Sequence, residues 1–182
     1  MDKAELISYL EAIDARLGSI ASLCIYGSAA FILLDEPARI RIDIDVAGPY
    51  SQADMADLRQ AAESAGLPID PEETFPRNHI EWVSAIRLAL SAPDSRSEMI
   101  LWRGRHLTTK TVSFPDLIAS KLVRYDPVDQ ADVQYLVAQR SIDFAMIQEA
   151  VRHLPSPFNS DAVVLDNLLA LKEDMARWKG NA

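Results

Sequence analysis

Between Arg41 and Val46 the chain alternates charged and β-branched residues, Arg-Ile-Asp-Ile-Asp-Val. A period of two is the pattern of an extended strand with one polar and one apolar face. On such a strand Asp43 and Asp45 project from the same face, about 6.5–7 Å apart. Ile42, Ile44 and Val46 then point the other way, into a core. Two carboxylates side by side on an apolar strand repel each other and lose solvation, which a bound cation repairs. A hard, oxygen-seeking ion such as Mg²⁺ suits that need. The competing reading is an edge strand that keeps one polar face in water, and the hexapeptide alone leaves both open.

Upstream, Ser22-Leu-Cys-Ile-Tyr26 is a short apolar run suited to a buried strand, broken by Gly27-Ser28 and followed by the helical stretch Ala29–Leu34. A strand, a Gly-Ser turn and a helix start make an anion site, because the first helical N–H groups are unbonded and glycine admits a phosphate to the backbone. An ordinary strand-to-helix turn has the same residues. Residues 3–17 read as a helix through Leu6, Leu10, Ile13 and Leu17, with Asp2 as N-cap. A third helix is expected from Ser51 or Gln52 to Ala65, and short strands at Leu67–Asp70 and His79–Val83. Glu98–Trp102 and Arg105–Val112 read as a hairpin around Gly104. The stretch from Ser84 to Leu90 has no clear period.

From residue 113 the pattern changes to helix throughout. Ser113-Phe-Pro-Asp116 is a helix start, with serine as cap and proline in the first turn. Helices are expected at Pro115–Tyr125, Pro127–Gln139, Asp143–His153 and Ser160–Lys179, the last with Val163, Leu165, Leu168, Leu169 and Leu171 as its core side. The order predicts an α+β chain, a mixed core over residues 1–112 and a helical domain over 113–182.

Composition bounds the function. At 182 residues, 49% hydrophobic and 25% charged, the chain is long and apolar enough to bury a core. No apolar run approaches the roughly 20 residues that span a bilayer, and the start lacks the basic and apolar blocks of a signal peptide. The single cysteine, Cys24, cannot form an internal disulfide, so a reduced cytoplasmic setting is expected. A net charge of −9 with scattered Lys and Arg argues against extended duplex nucleic acid as a partner. A nucleoside triphosphate needs only a few cations and a metal.

Gly27-Ser28, a helix and loop, then Asp43-Ile-Asp45 resembles the signature of the DNA polymerase β-like nucleotidyltransferase superfamily. Downstream, Phe114-Pro-Asp-Leu-Ile-Ala-Ser-Lys-Leu122 followed by Asp129-Gln-Ala-Asp132 is similar to the helical segment of the AbiEii-like toxin nucleotidyltransferases. The resemblance implies a mixed β-sheet with flanking helices ahead of a C-terminal helical bundle. It implies Asp43 and Asp45 as ligands for Mg²⁺, and Gly27 and Ser28 as a cradle for the β- and γ-phosphates. Lys121 becomes a point charge for the triphosphate or the acceptor, or else a surface lysine. Asp129 and Asp132 either orient Lys121 or Arg124 from behind, or form solvated ion pairs.

Active members of that superfamily carry a third carboxylate on a later strand. Glu81, bracketed by Ile80 and Trp82, is the preferred candidate for that catalytic position; Asp70 is the other, and Glu98 is less favoured. Two functions follow. One is an enzyme that moves a nucleoside monophosphate from a triphosphate to an RNA or protein hydroxyl, as the toxin of a toxin–antitoxin pair with an antitoxin partner. The other is a non-catalytic protein of the same fold that binds nucleotide or a partner protein, as an antitoxin or regulator does.

Overall fold

The computed structural model describes residues 1–36, 43–72, 75–85 and 87–180. Ile42, expected on the apolar face of the acidic strand, lies outside them. The chain divides into two compact units, Met1–Leu88 with Pro93–Thr111, and Ala89–Ala92 with Val112–Ala182. Among the described residues no helix is long and apolar enough to cross a membrane.

The first unit is mixed α and β. Helix α1 (Lys3–Asp14) buries Leu6, Leu10 and Ile13 and is capped by Asp2, whose carboxylate accepts the Glu5 N–H at 2.9 Å. At its other end the Asp14 carboxylate accepts three backbone N–H groups, from Arg105 at 3.0 Å and from His106 and Leu107 at 2.7 Å. Burial on its own raises this carboxyl's pKa, but the three N–H bonds outweigh it and hold the group below the usual carboxylate range. The charge ties the helix to the turn of the hairpin expected from sequence. That hairpin is β4 (Met99–Arg103) and β5 (Leu107–Thr111), antiparallel, with β1 (Ala21–Cys24) parallel to β5 on its other side.

The acidic strand forms as expected, as β2 (Asp43–Ala47), and lies parallel to β3 (His79–Val83). The crossover between them carries helix α3 (Met55–Ser64). It begins later than the sequence pattern suggests, for two local reasons. Gln52 and Ser22 exchange backbone hydrogen bonds of 2.8 Å, which holds the chain extended there. Asp54 then supplies the cap, accepting the Ala56 and Asp57 N–H groups at 3.0 and 3.1 Å. The strand expected at Leu67–Asp70 shrinks to one bridging residue, Ile69 opposite Ile80. Pro68 has no N–H to give, and Asp70 turns into the left-handed region at φ 48°.

The second unit is helical: α4 (Phe114–Lys121), α5 (Pro127–Gln139), α6 (Phe144–Arg152) and α7 (Ala162–Gly180). Ser113 caps α4, accepting the Asp116 N–H, and Asp126 caps α5, accepting those of Val128 and Asp129. The core side of α7 differs from expectation. Val164, Leu168, Leu171 and Met175 are buried, whereas Val163, Leu165 and Leu169 are 56%, 43% and 63% exposed. Apolar residues on this helix come in adjacent pairs, which cover two faces. The helical repeat selects the series 164, 168, 171, 175, and Asp174 beside it accepts the Tyr125 hydroxyl at 2.7 Å.

Candidate functional site

Strand β2 turns Ile44 and Val46 into the core, which leaves Asp43 and Asp45 on the opposite face. The parallel register with β3 sets Asp45 directly beside Glu81 and Ile44 beside Ile80. Neighbours across a parallel pair share a face, so Glu81 joins the two aspartates while Ile80 packs in the core with Ile44. The carboxylates of Asp43, Asp45 and Glu81 all have oxygens within 4.8 Å of one another, and each residue is half-buried. The other two carboxylates considered from sequence are engaged elsewhere. Asp70 accepts the Trp82 N–H at 2.7 Å and pairs with Arg59, and Glu98 pairs with Lys110 at 2.8 Å.

The opposite edge of β2 receives the end of β1. Ile25 bridges Val46, and the Tyr26 N–H donates to the Asp45 carbonyl at 3.1 Å. Helix α2 (Gly27–Leu33) begins at once, so Gly27 and Ser28 are its first residues rather than a turn ahead of it. Gly27 has φ 60°, and a Cβ there would overlap Oδ2 of Asp45. The glycine is required twice, by its backbone angle and by the aspartate's approach. Ser28 is buried. Burial, with the negative charges of Asp45 and Glu81, pushes the Tyr26 phenol well above its ordinary pKa, so it keeps its proton and can donate.

Gly27→Ala is expected to force the Asp45 carboxylate aside and to weaken divalent-cation binding by about tenfold. Manganese titration by electron paramagnetic resonance measures this. Gly66→Ala is the control: Gly66 has φ 79° but nothing within 4 Å of the added carbon. It has the backbone strain without the collision, and its cation affinity stays that of the wild type.

On the Glu81 side of the cluster lies an open cavity of about 690 Å³, lined among others by Asp70, Phe75, His79, Glu81, Trp82 and Arg87. Arg87 forms an ion pair with Glu81, and that hydrogen bond and charge raise the guanidinium's already high pKa. Neither Tyr26 nor Arg87 was singled out from sequence. Tyr26 directly precedes the Gly-Ser pair and was readable there; Arg87 falls in the stretch without a period and carried no signal.

The remaining sequence candidates sit in the helical unit. Lys121 is 8% exposed, and its ammonium lies 3.0 Å from Asp129 and 2.9 Å from Asp132, themselves 2% and 0% exposed. Arg124, mostly exposed, pairs with Asp129 and Asp126 at 2.9 Å. The contacts of Lys121 with Asp129 and Asp132 are buried and are not solvated surface pairs, whereas Arg124 reaches Asp129 from the surface. Cys24 is fully buried, and burial pushes its thiol up to about 12, as for a packed and unreactive side chain.

Three oxygen donors of this type suit a hard divalent cation, since clustered half-buried carboxylates need a counter-charge and offer no soft ligand. Residues 4–175 match the family described as nucleotidyltransferase of unknown function (DUF6036). No curated protein and no solved structure matches the chain.

Proposed function

The chain belongs to that nucleotidyltransferase family, and on this premise we propose that it moves a nucleoside monophosphate from a nucleoside triphosphate to an RNA or protein hydroxyl, with Mg²⁺ as cofactor. The observation that carries the reading is the convergence of Asp43, Asp45 and Glu81 from two paired strands beside a glycine that admits no side chain. Asp43, Asp45 and Glu81 would hold the ion, which when bound neutralises phosphoryl oxygens and lowers the pKa of the attacking hydroxyl. Gly27 and Ser28 lie on one edge of β2, and the cavity opens on the other, at Glu81. The acceptor hydroxyl is assigned to the cavity, the base and sugar of the triphosphate to the Gly27 edge, and its phosphoryl oxygens to the cluster between Asp45 and Glu81. Tyr26, protonated, offers an O–H to an anionic oxygen there. Holding reactants in line and offsetting their charge is most of what such a transfer needs.

The toxin role and an antitoxin partner rest on the likeness of Phe114–Leu122 and Asp129–Asp132 to the AbiEii-like helical segment. A non-catalytic, nucleotide-binding role draws on one observation, that Glu81 already carries a cationic partner in Arg87. Incubation with each labelled ribonucleoside triphosphate, Mg²⁺ and either total RNA or a protein extract separates the two. Label on an acceptor with at least one triphosphate is expected. Triphosphate binding without transfer to either acceptor pool would favour the non-catalytic reading.

A further inference from the structure

Arg87 is the one guanidinium paired with the three-carboxylate cluster among the described residues, and it is 66% exposed, on a stretch with no regular secondary structure. It approaches from the cavity side and holds one oxygen of Glu81, a carboxylate that a metal ion at the cluster would also need. A cation and a guanidinium cannot both saturate that carboxylate at short range without repelling each other. We propose that Arg87 is a displaceable counter-ion: it neutralises Glu81 while the site lacks metal, is released when a divalent cation takes Glu81, and then grips a phosphoryl oxygen of the bound substrate. The proposal rests on the metal-site reading above and adds a positioning residue to it.

The physical case has three parts. The three acids repel one another, so the metal-free site gains from a resident cation. An exposed arginine pair is weak enough to be exchanged for a divalent ion. A phosphoryl group drawn to an ion on these carboxylates comes beside Glu81, within reach of the released side chain, and the guanidinium fork binds phosphate oxygens in pairs. No bond is made or broken in the exchange; one ionic partner replaces another.

The signature is a pair of opposite effects in one variant. In the full-length protein Arg87→Gln is expected to bind Mn²⁺ alone about three- to tenfold more tightly than wild type, because the competitor is gone. With Mn²⁺ saturating, it is expected to bind tripolyphosphate, a probe that needs no choice of base, about tenfold more weakly. Arg87→Lys, which keeps the charge and loses the fork, should restore the metal affinity of the wild type and only part of the tripolyphosphate affinity. Arg77→Gln is the control for bulk charge: it removes a cation stacked 5.1 Å over Phe75, a residue of the cavity wall, and among the described ion pairs none joins Arg77 to the three carboxylates. Unchanged or weaker Mn²⁺ binding in Arg87→Gln overturns the proposal, as does an equal gain in Arg77→Gln. If wild type and Arg87→Gln both bind no Mn²⁺, the metal-site reading itself falls, an outcome distinct from a wild type that binds metal and a variant that does not differ.

Discussion

Asp45→Asn is expected to abolish divalent-cation binding in the range where the wild type binds, and to lower nucleotidyl transfer by about 10²–10³-fold. Asp45 is central to the cluster: Glu81 is its partner across the sheet, and Gly27 opens the space on its other flank. Asparagine keeps the shape and removes the charge, so the strand pairing survives. The metal-free protein should then keep the Tm of the wild type, because neither the core face of β2 nor its pairing with β3 is changed. Calorimetric titration with Mn²⁺ and thermal unfolding in chelator measure the two effects. Loss of binding with a fall in Tm would mean that the variant damages the fold and would leave the metal site without support.

Lys121→Met is expected to destabilise the helical unit by about 3–5 kcal/mol. Methionine approximates the aliphatic stem of lysine but takes away the ammonium that lies 2.9 Å from Asp132 and 3.0 Å from Asp129. Arg124 still reaches Asp129, and Asp132, fully buried, loses the ammonium beside it. Removing one member of a buried ion pair leaves the other charge in a medium that solvates it poorly. Adding Asp132→Asn to Lys121→Met should recover part of the stability, and a double-mutant cycle by urea unfolding measures that coupling. If Lys121 acts instead on the triphosphate, as the resemblance implies, Lys121→Met keeps its stability and loses transfer. The buried pairing makes the first outcome the expected one.

Local signals are legible in the chain because they depend on neighbours in sequence. Asp2 and Ser113 each cap the helix that their position announced, since a cap needs only its own first turn. The acidic strand formed where its alternation placed it, with Ile44 and Val46 in the core. Glu81 was favoured over Asp70 because a carboxylate between Ile80 and Trp82 has an apolar setting to answer for. The site's completion is a matter of register, however: a slip of one residue between β2 and β3 would have sent Glu81 to the core face. Nothing within either strand states that register; the crossover through α3 and the core packing of Ile44 against Ile80 set it.

The sequence by itself determined the paired carboxylates Asp43 and Asp45, the glycine before them, the change to helix after residue 112 and the caps Asp2 and Ser113, because periodicity and capping are properties of short segments. Only the tertiary structure decided that Glu81 completes the cluster, that Arg87 occupies it, that Lys121 is held between two buried aspartates, and that α7 turns Val164 rather than Val163 inward. Each of these depends on which distant residues share a face or a low-dielectric pocket. Burial and register arise from packing between segments, and a residue's own neighbours in the chain do not carry that information.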